Sequence, residues 1–585
     1  MTSLPLLTLI IFTPWLGALL VALHHPRKPN ALSRAGALAF SLSTLLLALA
    51  VILAPASAGG FNTATPGLQL AETHAWISAL NVHYSLGLDG LSLVLVLLTG
   101  IIAPTALVAS WRATPVTRES NLYPVLLLLL QGAALGVFLA QDFFLWFLFW
   151  ELSLFPAFFL IKMWGGGMAA PGAAAPAVNC KLKTENSGGE AAARATRAAY
   201  QFVIYTMGGS VFMLLGFAAL YAATGTLNFT ELARLAADGT LAEKLATLGN
   251  AGGVTSAIAG ASTSAGAAAT SLWPAIVFGS VLLGLAVKVP LFPFHTWLPP
   301  AYAEAPAGVS MFLTAVLSKM GVYGFLRILW PIFPAQLAAA APALMVLALL
   351  GVVLGAFAAL RQRDLKRMIA YSSINHLGYC LLAIFAVASV AAPHATSSAF
   401  RLSGIQNFPT DAAASVASAL SGTILQMFNH GLSAAALFYC VGLLEKRAGG
   451  LRGIGDFGGV RAVAPVFAGV CGVAMFSSLG LPGLNGFVGE FLIFRGVFGL
   501  APWHAAAATL GLLATAMFLL EFWRKVFHGP VAGATPKVTD LTAAELAPLA
   551  PSLALMLVLG IFPQLLAALF NPLVAQWAAT LATMP

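Results

Sequence analysis

Lys288-Val-Pro-Leu-Phe-Pro-Phe-His-Thr-Trp-Leu-Pro299 opens with a lysine at the end of an apolar run and then places Pro290 and Pro293 three residues apart. Proline removes a backbone donor and clashes with the preceding turn, so a helix entering this stretch must break there. In lipid, a broken helix is tolerated only where protein or a water-filled cavity satisfies the freed backbone groups. A second stretch, Gly480-Leu-Pro-Gly-Leu-Asn-Gly486, interrupts another apolar run in the same way. The surrounding chain of 585 residues is 60% hydrophobic and 8% charged, where a soluble globular chain carries roughly 25% charged residues. Such a composition belongs in a membrane.

Runs long enough to span, at roughly 20 apolar residues each, number about fourteen. They fall near 4–23, 32–54, 86–110, 121–138, 141–163, 199–223, 273–297, 308–331, 341–361, 366–391, 418–444, 461–494, 503–527 and 549–571. The expected fold is an all-α polytopic membrane protein forming a single transmembrane domain over residues 1–585. It has an N-terminal three-helix segment (1–110), two five-helix units (121–331 and 341–527) and a last span (549–571). The breaks fall in spans 7 and 12, each the fourth of its unit. An odd number of spans per unit makes the second unit an inverted repeat of the first, and matching interruptions in two inverted units point to an ion path.

Odd-numbered loops hold twenty Lys and Arg residues, and even-numbered loops hold only Arg234, Lys244 and Arg401. By the positive-inside rule, odd loops face the cytoplasm and both termini lie on the other side. The first run, Leu4–Leu23, has its positive charges after it and not before, which reads as an uncleaved span and not a signal peptide. Three long connections, 165–198, 224–272 and 392–417, are rich in Ala, Gly, Ser and Thr; they read as flexible insertions without a site of their own. The formal net charge of +9 is scattered through short loops with no dense basic patch, so no nucleic-acid partner is expected. Cys180, Cys380, Cys440 and Cys471 lie far apart with no CxxC pair. They suggest neither a metal site nor an iron–sulfur cluster.

Charges inside spans are costly, about 2.5–3.5 kcal/mol each on insertion scales, and here there are several. Glu151 lies midway through span 5, Lys288 beside the seventh-span break, and Lys319 inside span 8. His376 is in span 10, His430 in span 11, and Glu490 just after the break in span 12. Each has a structural alternative: snorkelling or ion pairing for Lys319 and Glu490, a static salt bridge for Glu151 and Lys288, hydrogen-bonded packing for the histidines. Asp142, Lys162, Arg327 and Arg495 sit near span ends or the break, where interfacial anchoring is the default. His295 and Trp297 either gate entry or mark the headgroup level.

As a set, the six make a proton relay chemically sensible. A lysine in low dielectric releases its proton readily, and an approaching carboxylate restores it, so a moving Glu–Lys pair is a switch. Carrying one charge across about 150 mV needs about 3.5 kcal/mol, which corresponds to a swing of roughly two to three pKa units. Histidines suit the middle of such a relay.

These residues sit in strings that resemble a known family. Phe147-Leu-Phe-Trp-Glu-Leu-Ser-Leu-Phe-Pro156, Lys288–Pro299, Glu304-Ala-Pro-Ala-Gly-Val-Ser310 and Ser318-Lys-Met-Gly-Val-Tyr-Gly324 resemble the antiporter-like, proton-translocating chains of respiratory complex I, NADH:quinone oxidoreductase. So do Asp364-Leu-Lys-Arg-Met-Ile-Ala-Tyr-Ser-Ser-Ile-Asn-His376, Gln426-Met-Phe-Asn-His-Gly431 and Gly480–Phe491, and the likeness covers roughly 85–530. A glutamate on span 12, and no long amphipathic helix after span 14, make the chain most like the M-type members. The resemblance implies that Glu151 and Lys288 form an ion pair at the input side, with Lys319 as the central proton carrier. It further implies His376 and His430 as connecting groups and Glu490 as the terminal residue facing the periplasm.

NADH, FMN, iron–sulfur clusters and quinone are then expected on partner subunits, with no cofactor on this chain. L-type and N-type antiporter-like chains are expected as neighbours in a bacterial cytoplasmic membrane. The sequence departs from the pattern at Pro300-Ala-Tyr302, where the family often has Asp-Ala-His. Subunits of multichain sodium/proton antiporters, membrane-bound hydrogenases and photosynthetic complex I stay open as alternatives, as does an inert spacer. A self-contained enzyme finds no support, since no nucleotide-binding glycine loop or soluble catalytic domain is present.

Overall fold

The computed structural model describes residues 5–24, 31–56, 59–113, 121–166, 187–251, 272–390 and 412–583. Eleven helices in it are long and apolar enough to cross a membrane, and three shorter apolar ones, Trp273–Lys288, Pro465–Ser478 and Ala550–Ile561, stand where spans 7, 12 and 14 begin. The fourteen expected spans are thus present, and both breaks are real. Span 7 stops at Lys288 and resumes as Leu298–Glu304; span 12 stops at Ser478 and resumes as Asn485–Leu500.

Burial sorts the spans into an inner and an outer set. Span 8 (Ala307–Ile332) and span 11 (Ala412–Arg447) are enclosed along their whole apolar windows, and span 10 (Leu365–Ser389) nearly so. Span 2 (Ala31–Leu53) and span 13 (Pro502–Phe527) instead present Leu46 and Leu513, each well over half exposed, on an apolar outer surface. With apolar surroundings on both sides, packing between spans depends on close fit and small residues. Spans 11 and 12 show this: a Cβ on Gly422 would stand 2.9 Å from the Gly489 carbonyl oxygen and collide with the Ile493 nitrogen. Both obstacles are backbone and cannot give. Gly422→Ala is therefore expected to cost about 1–3 kcal/mol by overpacking and to lower the amount of folded chain recovered from membranes, measured against wild type at equal expression.

Two features depart from the sequence reading. First, an antiparallel hairpin, β1 (Gln69–Ile77) and β2 (Val82–Leu88), precedes span 3 (Gly90–Ala113). Residues 86–88, expected to begin span 3, belong to that hairpin. Thr73, Trp76, Ile77, Val82 and Tyr84 are residue types that favour strands, and Asn81 supplies the left-handed turn residue at φ 50°. Glu72 on β1 accepts hydrogen bonds from the Leu7 and Thr8 nitrogens at 2.7 and 3.1 Å, so a carboxylate caps the start of span 1 (Leu6–Leu23).

Second, the connection 224–272 is not featureless, since its described part carries helices at Phe229–Ala237 and Thr240–Ala251. Phe229, Leu232 and Leu235 recur on one face and are buried, while the Asn228 side chain caps the first turn by accepting from Thr230 and Glu231. These helices are too short to register as spans, so a search for long apolar runs passes over them. Span 6 likewise begins as a helix at Ser187, inside the connection 165–198. The greater part of that connection, and of 392–417, lies outside the described residues.

Candidate functional site

Span 8 carries Lys319 between two π-helical segments, Leu313–Leu317 and Phe325–Leu329. Such segments are rare and concentrate at functional sites, because they release a carbonyl from the regular ladder. One is put to use here. The Lys319 ammonium, fully buried, donates to the Thr314 carbonyl at 2.7 Å, to Ser318 Oγ at 3.3 Å and to His430 Nδ1 at 2.7 Å. Three acceptors match the three protons of a charged lysine.

The line continues through two imidazoles. The ring of His430 (span 11) stands 5.0 Å from the ring of His376 (span 10), tilted by 45°. His376 Nδ1 is 2.9 Å from Glu490 Oε1, and the Gln426 amide donates to the same carboxylate oxygen at 3.2 Å. A carboxylate only accepts, so His376 donates through Nδ1, and its Nε2 is left buried without a partner, on a ring that packs against His430. The twelfth-span break makes room for this carboxylate. Gly480 has a left-handed φ of 78°, and a Cβ there would meet Glu490 Oε2 at 2.9 Å. Lys319, His430, His376 and Glu490 thus form one series of neighbouring groups on four spans, all at most 5% exposed.

Glu151 and Lys288 are not closed into the ion pair that the resemblance implies. Among the described residues no carboxylate lies within 4.0 Å of the Lys288 ammonium; Glu151 Oε1 and Lys288 Nζ are both buried without a hydrogen-bond partner. Nζ sits instead 4.8 Å from the centre of the Trp150 ring, whose indole N–H donates to Ser210 Oγ at 3.0 Å. The two charges still act on each other electrostatically. Span 8 approaches Lys288 closely because Gly321 and Gly324 face Val289 and Leu285, whose side chains occupy the space a Cβ would need.

Around the break, Trp297 proves to be a brace: it is buried, and its indole donates to the Val287 carbonyl at 2.8 Å, tying the two parts of span 7 together. His295 is partly exposed, stacked on Phe292 with ring centres 5.4 Å apart. Asp142 caps span 5 by accepting from the Phe144 nitrogen at 2.9 Å. Lys162 lies against Phe158 and Tyr200 near a span end, as an anchor does. Arg327 departs from anchoring: it forms a buried ion pair with Asp89 and donates to the Tyr323 hydroxyl at 3.2 Å.

Sequence reasoning missed a second ionic cluster, on the side of the odd-numbered loops. There Arg452 meets Glu304 at 2.8 Å, Asp364 at 2.7 Å and Glu445 at 3.4 Å, while Lys366 meets Glu445 at 2.6 Å. In the sequence these residues stand at loop edges, where a charge reads as a topology signal. Glu304, Asp364 and Lys366 stand inside family strings, but nothing in those strings showed that they meet Arg452 and Glu445. Among the described residues no three His, Cys, Asp or Glu side chains converge as a metal site.

Ionisable side chains placed inside a bundle, on discontinuous spans, are what a helical membrane protein needs to carry ions. This defines the class of antiporter-like membrane subunits. Over residues 188–403 and 411–517 the chain matches the family described as NADH:quinone oxidoreductase/Mrp antiporter, TM, and it belongs to that family.

Among its curated relatives is the NADH-quinone oxidoreductase subunit M of Rhodobacter capsulatus, 32% identical over 575 residues, covering 98% of this chain and 96% of the relative. The NAD(P)H-quinone oxidoreductase chain 4 1 of Synechococcus sp. (strain JA-3-3Ab) is 34% identical over 510 residues, 85% of this chain and 80% of the relative. Among solved structures, a chain of respiratory complex I from Thermus thermophilus with bound NADH superposes with a TM-score of 0.73 at 26% identity, covering 98% of this chain and 99% of that one. A chain of the Mrp complex from Dietzia sp. shares the fold, with a TM-score of 0.72 at 19% identity over 99% and 100% of the two chains.

Proposed function

We propose that this chain is the M-type, proton-translocating membrane subunit of an NADH:quinone oxidoreductase and passes protons through Lys288, Lys319, His430, His376 and Glu490, with Glu151 modulating Lys288. The observation that carries the reading is the buried series from the Lys319 ammonium to the Glu490 carboxylate, hydrogen-bonded at its two ends and ring against ring between His430 and His376. Lys319 gives a proton to His430 Nδ1; His430 releases one from its other nitrogen toward the unpartnered Nε2 of His376; His376 passes its Nδ1 proton to Glu490. Each imidazole ends in the opposite tautomer, so both must reset before the next proton arrives.

The open arrangement of Glu151 and Lys288 fits a movable switch: closure would hold the lysine's proton, and separation would release it. The charge bias of the loops supports uptake from the cytoplasm, release on the periplasmic side and periplasmic termini, in a bacterial cytoplasmic membrane. Spans 4–8 and 9–13 act as inverted repeats, with the breaks in spans 7 and 12 as counterparts. NADH, FMN, iron–sulfur clusters and quinone belong to partner subunits, and L-type and N-type chains to the same membrane arm.

Lys288→Ala tests the reading. In the whole complex in sealed vesicles, acidification per quinone reduced should fall, with proton transfer through this chain slowed on the order of 100-fold. Unchanged acidification would leave the chain an inert spacer.

A further inference from the structure

Among the described residues, a single ion pair joins spans 4–8 to spans 9–13: Arg452 with Glu304. Its surroundings amount to a grip on three consecutive residues. Arg452 Nη1 donates to the Ala303 carbonyl at 2.7 Å, Arg452 Nη2 to Glu304 Oε1 at 2.8 Å, and Lys366 Nζ to the Ala305 carbonyl at 3.2 Å. Residues 303–305 form the corner between the second part of span 7 and the start of span 8. The gripping residues are rigidly mounted. Leu365 donates its N–H to the Arg452 carbonyl at 3.0 Å, and Ile454 donates to the Arg363 carbonyl at 2.7 Å, so the Arg452 loop is stitched to the head of span 10. Asp364 and Glu445 fix the remaining guanidinium edge.

The corner leads directly to the lysine. Ala307 is twelve residues before Lys319, about 18 Å along a helix, and the π segment Leu313–Leu317 lies between them. Thr314 in that segment holds Lys319 Nζ through its carbonyl, while its hydroxyl meets Ser373 Oγ on span 10 at 3.0 Å. A π segment is where a helix can take up a change of register. An axial or rotational shift at the corner would therefore be felt at the Lys319 to His430 contact.

We infer that Arg452, with Lys366, is a positioning site: by holding the Ala303–Ala305 corner it sets the register of span 8 and so the contact between Lys319 and His430. The inference rests on the relay reading. Burying Glu304 and Glu445 with Lys366, beside a partly buried Arg452 and Asp364 and a half-exposed Arg194 3.8 Å from Glu304, is costly for stability alone. Specific placement is a sufficient reason for it.

The test uses the whole complex in sealed vesicles, with acidification per quinone reduced measured across pH. Arg452→Gln should lower acidification and move its pH profile by about one unit, the size of one altered charge-assisted contact at a titrating group. Arg452→Lys, which keeps the charge and loses the fork, should give a smaller shift and serves where the Gln variant does not assemble. A fall in acidification with an unmoved profile would mean a purely structural staple and would overturn the inference, as would wild-type behaviour. Lys319→Gln, run in parallel, separates the two readings: if it pumps normally the relay itself is wrong, and if it fails while Arg452 variants behave as wild type, only the positioning role is lost.

Discussion

Replacing Lys319 by glutamine should stop proton passage through this chain while leaving the complex assembled. The side chain is fully buried and makes three hydrogen bonds, to the Thr314 carbonyl, Ser318 Oγ and His430 Nδ1. A glutamine amide has two donors and can keep part of that set, so the bundle should hold; but it cannot release a proton. Removing a positioned proton donor slows transfer by about 100-fold to 10,000-fold. The readout is acidification per quinone reduced in sealed vesicles, beside quinone reduction measured with the membrane made leaky. Normal acidification would show that protons bypass Lys319.

Glu490→Gln is the second large effect, at the opposite end of the line. His376 Nδ1 approaches Glu490 Oε1 at 2.9 Å, and Gln426 donates to the same oxygen. An amide oxygen can accept both bonds, so the variant preserves shape and neutralises one charge. Breaking a buried charged pair by leaving one partner charged costs about 3–5 kcal/mol, whereas His376 escapes that cost by staying neutral. The chain should therefore fold and assemble, and acidification should fall about as far as in Lys319→Gln, because a proton leaving His376 has no titrating acceptor. A double variant no worse than either single one is expected, since both interrupt one series. Glu490→Ala should fare worse in assembly, because it also opens a cavity beside Gly480 and strands the Gln426 amide.

The resemblance named both Glu151 and Lys288 as an ion pair, and here the structure reads differently. Lys288 faces the Trp150 ring, a neighbour one residue from Glu151 in sequence. Along a helix, adjacent residues point about 100° apart, so a string that places Trp-Glu opposite a lysine does not decide which of the two the lysine meets. Arg327 and Asp89 make the same point from the other direction. Arg327 stands at a span end that reads as interfacial, and it meets Asp89 only because span 3 packs beside span 8.

Local composition alone determined that this chain crosses lipid some fourteen times, that two spans break at their prolines and glycines, and that Lys319, His376, His430 and Glu490 lie inside. The cost of burying a charge or losing a backbone donor is paid residue by residue, and so shows in a linear reading. Tertiary structure decided which of those groups touch, that Arg452 gathers carboxylates from three other parts of the chain, and that a hairpin precedes span 3. Contacts of that kind depend on the rotation and depth of helices far apart in sequence, set by close approaches such as Gly422 of span 11 against Ile493 of span 12 and Gly321 against Val289, and no single segment contains that information.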